Sequence, residues 1–451
     1  MSGLSQDEMT AAPAQPEVAG LAAAVRERQK SLMLRAWILS GLVFMVLPGT
    51  LLGFSNLVAI SQHHGLGALS PAWIQGHGHA QMFGWIGSFI LGIGFYSQPA
   101  RGNSILRVPL TCFVLWTSGV AIRWAANMYA WHWRTLFVVS ATAELLALFL
   151  FLSAARHHKL PDTGQGRSKP RVELWMTSVF LGTAGLLAAM VFNFVECLRL
   201  AWAGVSEAFP HGLDQSFLIV LAWGFLVPTV WGFSARWLPT FLGVGRPREG
   251  LFRAVLPVDI LGILLGVFGL VRAATVLFVC ASVAVMFALR LTEKPQNKAK
   301  VLGIHPSFPV FIRIAYVWLV IAAALGVWAA MADLHGGIWG ASRHALTVGF
   351  AATMVFSIGP RILPHFGGVY SLYSKRLMFV ALLLLQCGCA LRVASEPLAY
   401  EGFSMTAWKV LPASATLELT AVIVFAANIA LTYTKGRAFF AANAMKQNDP
   451  A

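Results

Sequence analysis

Two histidines, His77 and His79, stand two residues apart at the mouth of the stretch 75–99, whose apolar part is long enough to enter a membrane. The stretch 343–364 repeats the pattern around His344. Each copy has a His followed by Ala, a Gly five residues after the His, and a Pro fifteen residues after that Gly: His79/His344, Gly84/Gly349, Pro99/Pro364, with Gly94/Gly359 also shared. A third copy runs from Gly224 to Pro239, where Arg236–Pro239 echoes Arg361–Pro364, but Ile219 fills its histidine position. Two of three equivalent helices therefore offer an imidazole at one depth.

Imidazoles facing each other across a gap are the ligands of a b-type haem, provided small residues leave room for the flat ring. His79 and His344 are the candidate axial ligands, with Gly84, Gly87, Gly92, Gly94 and Gly349 expected to give the clearance. His77 points about 200° away from His79 on a helix, so it must do a different job. It lies in the preceding loop or joins a second metal with His211, His335 or the His63–His64 pair. Copper suits such ligands, and so does zinc. Haem propionates need cations, for which Arg343, Arg123 and Arg134 are the candidates. The bland alternatives are solvated interfacial histidines, glycines that let helices pack closely, and arginines that anchor helix ends. Glu144, Asp259, Glu196 and Glu418 are the acidic residues in or near the apolar runs, where carboxylates either pair or conduct protons.

The elements that must position these groups follow from composition. Of 451 residues, 57% are hydrophobic and 11% charged, and the mean hydropathy is +0.69, which excludes a water-soluble domain of this size. The net charge of +15 is spread in short clusters between apolar runs, so nucleic-acid binding is excluded as well. Cys112, Cys197, Cys280, Cys387 and Cys389 all lie in or beside apolar stretches and give no disulfide framework. No CxxCH motif attaches a haem covalently. The expectation is an all-α membrane protein of twelve transmembrane helices, at about 34–60, 79–98, 106–128, 135–155, 173–196, 213–235, 251–271, 273–291, 309–332, 343–363, 376–395 and 413–434. A polar tail (1–30) precedes the membrane domain (31–435), and a second tail (436–451) follows it.

With the N-terminus inside, only seven of the 33 Lys and Arg fall outside: Arg123, Arg134, Arg199, Arg272, Arg343, Arg392 and Lys409. The positive-inside rule then puts both termini in the cytoplasm. Eight histidines, including His77, His79, His211, His335 and His344, lie toward the outer face, while His157, His158, His305 and His365 are inner. The three similar helices are the second, sixth and tenth, so the chain reads as three parallel four-helix units around an axis normal to the membrane.

The segments HGHAQMFGWIGSFILGIGF and RHALTVGFAATMVFSIGPR, with the following LLLLQCGCALRV, resemble the NnrS family of bacterial inner-membrane proteins, from about residue 30 to 435. That resemblance implies a haem- and copper-containing protein of the nitric oxide response, laid out like subunit I of the haem-copper oxidases. It also implies haem ligands on the second and tenth helices. One departure is Gln81, where the family usually has Glu. From the oxidases the chain departs by lacking a three-histidine copper site on helices six and seven, which argues against dioxygen reduction. The resulting expectation is a haem b protein, with or without copper, that meets nitric oxide or another diatomic molecule and an unknown electron donor. Competing readings are a metal-ion transporter or channel without a redox cofactor, and an assembly partner of a respiratory complex.

Overall fold

A chain this apolar must satisfy its backbone hydrogen bonds internally, and helices do so within one segment. The computed structural model describes residues 16–98, 106–156 and 173–436, which are helical with no strand among them. Pro99, His157 and His158 lie outside the described residues. Three consecutive helical stretches, Pro16–Phe44, Met45–Leu51 and Leu52–His63, form α1, and Pro71–His79, Ala80–Gly87 and Ser88–Ser97 form α2. The rest are α3 (Arg107–Tyr129), α4 (Trp133–Arg156), α5 (Leu174–Ala203), α6 (His211–Leu242), α7 (Glu249–Val267), α8 (Val271–Ala288), α9 (Phe308–Ala332), α10 (Gly337–Phe366), α11 (Lys375–Tyr400) and α12 (Ala407–Lys435).

Eleven helices, α1 and α3–α12, are long and apolar enough to cross a membrane. The expected twelfth, α2, is continuous helix, but Gln75, His77, His79, Gln81 and its glycines dilute its apolar content and it does not belong to the eleven. Large apolar side chains such as Val114, Leu146, Val195, Leu264, Val317 and Ile423 point outward, as a lipid-facing surface requires.

The same neighbours recur three times along the chain. Helices α3/α4, α7/α8 and α11/α12 pack as hairpins, α4 packs on α5, α8 on α9, and α12 back on α1, so the ring closes. A second sign of repetition is backbone geometry. In α2, α6 and α10 a π-helical stretch begins at the residue after His79, Ile219 and His344: Ala80–Gly87, Val220–Leu226 and Ala345–Ala352. The equivalence read from spacing is therefore structural. Such stretches loosen the backbone ladder and free carbonyls. Phe83 O in α2, for example, accepts a 3.0 Å bond from Trp116 Nε1.

The glycines do not clear a slot. A Cβ on Gly84 would lie 2.7 Å from Phe44, on Gly87 2.5 Å from Trp116, on Gly92 2.6 Å from Trp37, on Gly94 2.6 Å from Phe151, and on Gly349 2.6 Å from Trp318. Each notch is filled by an aromatic ring of a neighbouring helix. The glycines serve close helix packing instead of leaving a gap for a flat ligand.

Candidate functional site

The site is built from a motif pair that occurs twice. Gly119-Val-Ala-Ile-Arg123 on α3 matches Gly388-Cys-Ala-Leu-Arg392 on α11, and Ser140-Ala-Thr-Ala-Glu144 on α4 matches Ser414-Ala-Thr-Leu-Glu418 on α12. Four residues make about one turn, so each glycine shares a face with its arginine and each serine with its glutamate. A Cβ on Gly119 would lie 2.7 Å from Glu144 Cγ, and one on Gly388 2.7 Å from Glu418 Cγ. The glycine notch thus receives the glutamate stem in both hairpins, with His79 and His344 on the helix before each.

In the first unit the imidazole and the carboxylate meet. His79 Nε2 donates to Glu144 Oε1 at 2.8 Å, and both side chains are almost sealed from solvent, at 5% and 0% exposure. Ser140 Oγ also contacts Glu144 Oε1 at 3.3 Å. Glu144 Oε2 has no hydrogen-bond partner in the structure. Arg123 is buried beside them: Nε donates to Asn127 Oδ1 at 3.0 Å, Nη1 contacts Cys197 Sγ of α5, and the guanidinium lies over the rings of Phe137 and Phe209. Among the described residues no carboxylate lies within ion-pair distance of Arg123; a neutral amide, a thiol and two aromatic faces hold it.

The third unit uses the same positions differently. Asn127 is replaced by Glu396, four residues after Arg392, and the two form a two-point pair at 2.9 and 3.3 Å with both side chains buried. His344 Nδ1 donates to Gly340 O at 2.9 Å and lies 3.5 Å from Glu396 Oε2. A backbone carbonyl can only accept, so Nδ1 carries the proton and Nε2 of neutral His344 keeps its lone pair. Glu418, the counterpart of Glu144, sits within electrostatic range of His344 and Arg392, and its Oε1 has no hydrogen-bond partner. His344 keeps 26% of its side-chain surface, against 5% for His79, so it is the reachable ring of the two.

The middle unit keeps the frame and loses the charges. A Cβ on Gly262 of α7 would lie 2.7 Å from Phe278 of α8, as the other two glycines meet glutamates. Phe278 stands for the glutamate, Ala274 for the serine, Gly266 for the arginine and Ile219 for the histidine, and a Cβ on Gly266 would meet Ile219 Cδ1 at 2.9 Å.

The remaining sequence candidates are dispersed. No hydrogen bond, ion pair or ring contact joins His79 to His344. His77 lies within electrostatic range of His344 and Arg392, and its Nδ1 donates to Gly49 O of α1 at 2.8 Å. Its Nε2 is therefore also unprotonated in the neutral ring. His211 stands exposed at the start of α6, within electrostatic range of Asp214. His335 is exposed and faces Glu401 at 3.3 Å. His77, His211 and His335 thus have separate surroundings, and no group of three or more His, Cys, Asp or Glu among the described residues converges as a metal site. Arg343 donates to Gln215 Oε1 and lies within electrostatic range of Asp214, Glu396 and Asp333. Arg134 caps the end of α5, donating to Ala201 O at 3.0 Å and Gly204 O at 2.7 Å. Gln81 donates to Thr50 Oγ1 at 2.9 Å, tying the π-helical stretch of α2 to that of α1.

In the sequence reading Arg392 is only one of the outer cations, and Glu396 and the pairing of Glu144 with His79 are absent from it, although the doubled motif pair could have shown them. The glycine-to-glutamate distance differs by five residues between the copies, so a fixed-register comparison misses it. No curated protein matches the chain. The family model that matches covers residues 199–434, from the end of α5 to the end of α12, and hence the whole Arg392–Glu396–His344 arrangement; the chain belongs to that family, a domain of unknown function (DUF8744).

Proposed function

We propose that the chain is a multi-pass protein of the bacterial inner membrane that binds one haem b beside α2 and α10 and meets nitric oxide or a similar diatomic molecule, as its resemblance to the NnrS family implies. In this reading α2 crosses the membrane with the other eleven helices, and the positive-inside bias puts both termini in the cytoplasm. When bound, haem supplies a redox-active iron.

One observation carries the proposal. His77 and His344 lie on different helices within electrostatic range of each other, and each ring is fixed by an Nδ1–H bond to a backbone carbonyl that leaves Nε2 free. A hydrogen bond of this kind, made by the ring nitrogen that does not bind the metal, orients metal-ligating imidazoles. Behind His344, the Glu396 carboxylate held by Arg392 strengthens the same orientation. The donor chemistry fits a haem; the glycine notches do not contribute room for it. His344 and His77 would be the residues that hold the haem, while His79 is engaged by Glu144. The resemblance implies copper as well, which the metal assay below tests.

The test is the oxidised and reduced absorption spectrum of detergent-purified protein expressed with added haem, together with a metal assay, for wild type and the His77→Ala, His79→Ala and His344→Ala variants. A b-type spectrum lost in His77→Ala and His344→Ala and kept in His79→Ala is the expected result. A colourless, folded wild type refutes the haem reading, and loss in His79→Ala with retention in His77→Ala returns the ligand to His79.

A further inference from the structure

Asp259 lies in the middle of α7, on the buried face that also carries Val255, Leu256, Gly262 and Gly266. It is 0% exposed, and neither Oδ1 nor Oδ2 has a hydrogen-bond partner. The helices packed on α7 are α8, α6 and α5. Their charged and titratable groups are Arg272 and Cys280 of α8, His211, Asp214 and Arg236 of α6, and Glu196, Cys197 and Arg199 of α5. None of these comes within electrostatic range of Asp259, and neither do Glu249 and Arg253 of α7 itself. An ionised carboxylate in this place has neither a counter-charge nor a donor, which is costly in a membrane interior. The neutral acid needs no counter-charge.

The repeat shows that the fold does not require an acid here. Three residues before the notch glycine stand Trp116 in the first unit, Leu385 in the third and Asp259 in the middle one. Trp116 uses the position to donate to Phe83 O at 3.0 Å, and Leu385 is simply buried. Across the α7/α8 hairpin, Gly262 lies against Phe278 and Gly266 against Ala274, a register that brings Asp259 level with Ala281 and Ser282. Ser282 is 0% exposed, and its Oγ also lacks a partner. The layer therefore holds one carboxyl and one hydroxyl. A metal ion needs more ligands than that, and among the described residues no group of three or more His, Cys, Asp or Glu converges. A proton needs one oxygen.

Water has a place beside this layer. A cavity of about 30 Å3 is lined by Ile219, Ala274, Thr275, Phe278, Trp339 and Ser342, among others. A buried water needs roughly 10–15 Å3 of such space and about two to four polar partners. The Ser342 and Thr275 hydroxyls donate to Ala322 O and Arg272 O and keep lone pairs for a water, while the Trp339 indole N–H is a donor. Phe278 both lines the cavity and packs on Gly262, which is three residues, or about 4.5 Å of helix, from Asp259. Stacked on Trp223 with centroids 4.2 Å apart, Phe278 is the wall between the cavity and the acid.

We infer that Asp259 is a proton-binding site of the middle unit and that it exchanges its proton with water in the adjoining cavity. Loading forms the carboxyl O–H bond with a proton delivered by hydronium, and unloading returns that proton to water; no electron moves. The site goes beyond the haem proposal and does not depend on it.

The test is the infrared spectrum of the full-length protein in lipid vesicles, recorded in water and after transfer to D2O, for wild type, Asp259→Asn and Gly326→Val. Subtracting the Asp259→Asn spectrum separates the Asp259 carboxyl from those of Glu144 and Glu418. The expected result is a carboxylic-acid carbonyl band that is lost in Asp259→Asn and moves to lower frequency in D2O. Gly326→Val puts a side chain into the cavity, and should keep the band and slow that shift. A wild type without the band has an ionised Asp259 and overturns the inference. So does a band that D2O never shifts, and so does a shift that Gly326→Val leaves as fast as before. If Asp259→Asn fails to fold, Asp259→Leu gives the same subtraction with the side chain that the third unit carries in this place; if Gly326→Val fails, Ala323→Val fills the same cavity. The band is read without haem, so a colourless wild type that shows it refutes only the haem proposal.

Discussion

Arg392 and Glu396 form an ion pair one turn apart inside the bundle, with side-chain exposures of 9% and 4%. Two unit charges about 4 Å apart attract by about 4 kcal/mol at an effective dielectric of about 20. Removing one partner also strands the other without solvent, so Arg392→Gln should destabilise the protein by about 3–5 kcal/mol. The stranded group is Glu396, left against His344 and near Glu418, whose Oε1 already lacks a partner. Neutralising both residues in Arg392→Gln/Glu396→Gln should recover much of the loss, giving a coupling of about 3 kcal/mol in a double-mutant cycle. The chain holds its own control. Arg253 and Glu249 have the same four-residue spacing but side-chain exposures of 53% and 70%, and Arg253→Gln should cost no more than about 0.5 kcal/mol. The assay is reversible unfolding in mixed micelles. A cost below about 1 kcal/mol for Arg392→Gln, or strictly additive single variants, would show that the pair is hydrated in the membrane and refute the reasoning.

Gly388→Ala would put a methyl 2.7 Å from Glu418 Cγ and 3.0 Å from the Ser414 carbonyl, so α11 and α12 must part; a loss of about 1–3 kcal/mol is expected in the same unfolding assay. Gly326→Ala meets nothing closer than 3.5 Å and should instead stabilise by about 0.5–1 kcal/mol, a difference in sign that the assay reads directly. Arg134→Ala removes two bonds to the last carbonyls of α5 on an exposed side chain, and should lower stability by about 1 kcal/mol while leaving any haem spectrum unchanged. A spectral shift in that variant would make Arg134 a haem contact after all.

The all-helical class and the position of the repeat were legible because length, apolarity and glycine–proline spacing are local properties of the chain, although eleven and not twelve helices are long and apolar enough to cross a membrane. The π-helical stretches beginning at Ala80, Val220 and Ala345 confirm the register read from His79, Ile219 and His344. Partner choice was not legible. His77 and His79 differ by about 200° around α2, but which of the two faces α10 depends on how α1 and α4 pack against it, and sequence spacing does not encode that. The glycines misled for a related reason. A small residue marks a close approach, and only the neighbour's identity, Phe44 or Trp116 or Trp318, decides whether the notch is open or filled.

The middle unit is an internal test of what the buried charges are for. It reproduces the hairpin, the glycine notch and the π-helical stretch with Phe278, Ala274, Gly266 and Ile219 in place of Glu, Ser, Arg and His. The fold therefore does not require the ionisable set, and apolar replacements of similar shape satisfy the same frame. Buried ion pairs contribute little net stability over such replacements and strongly destabilise when one partner is lost. Two units carry that liability and one does not. Stability alone would favour the apolar solution in all three, and the first and third units do not adopt it. The two units also differ from each other: Asn127 leaves Arg123 without a carboxylate, whereas Glu396 ties Arg392 to His344. The reachable imidazole with a free Nε2 is in the unit with the complete ion pair, and that is where the chemistry is expected.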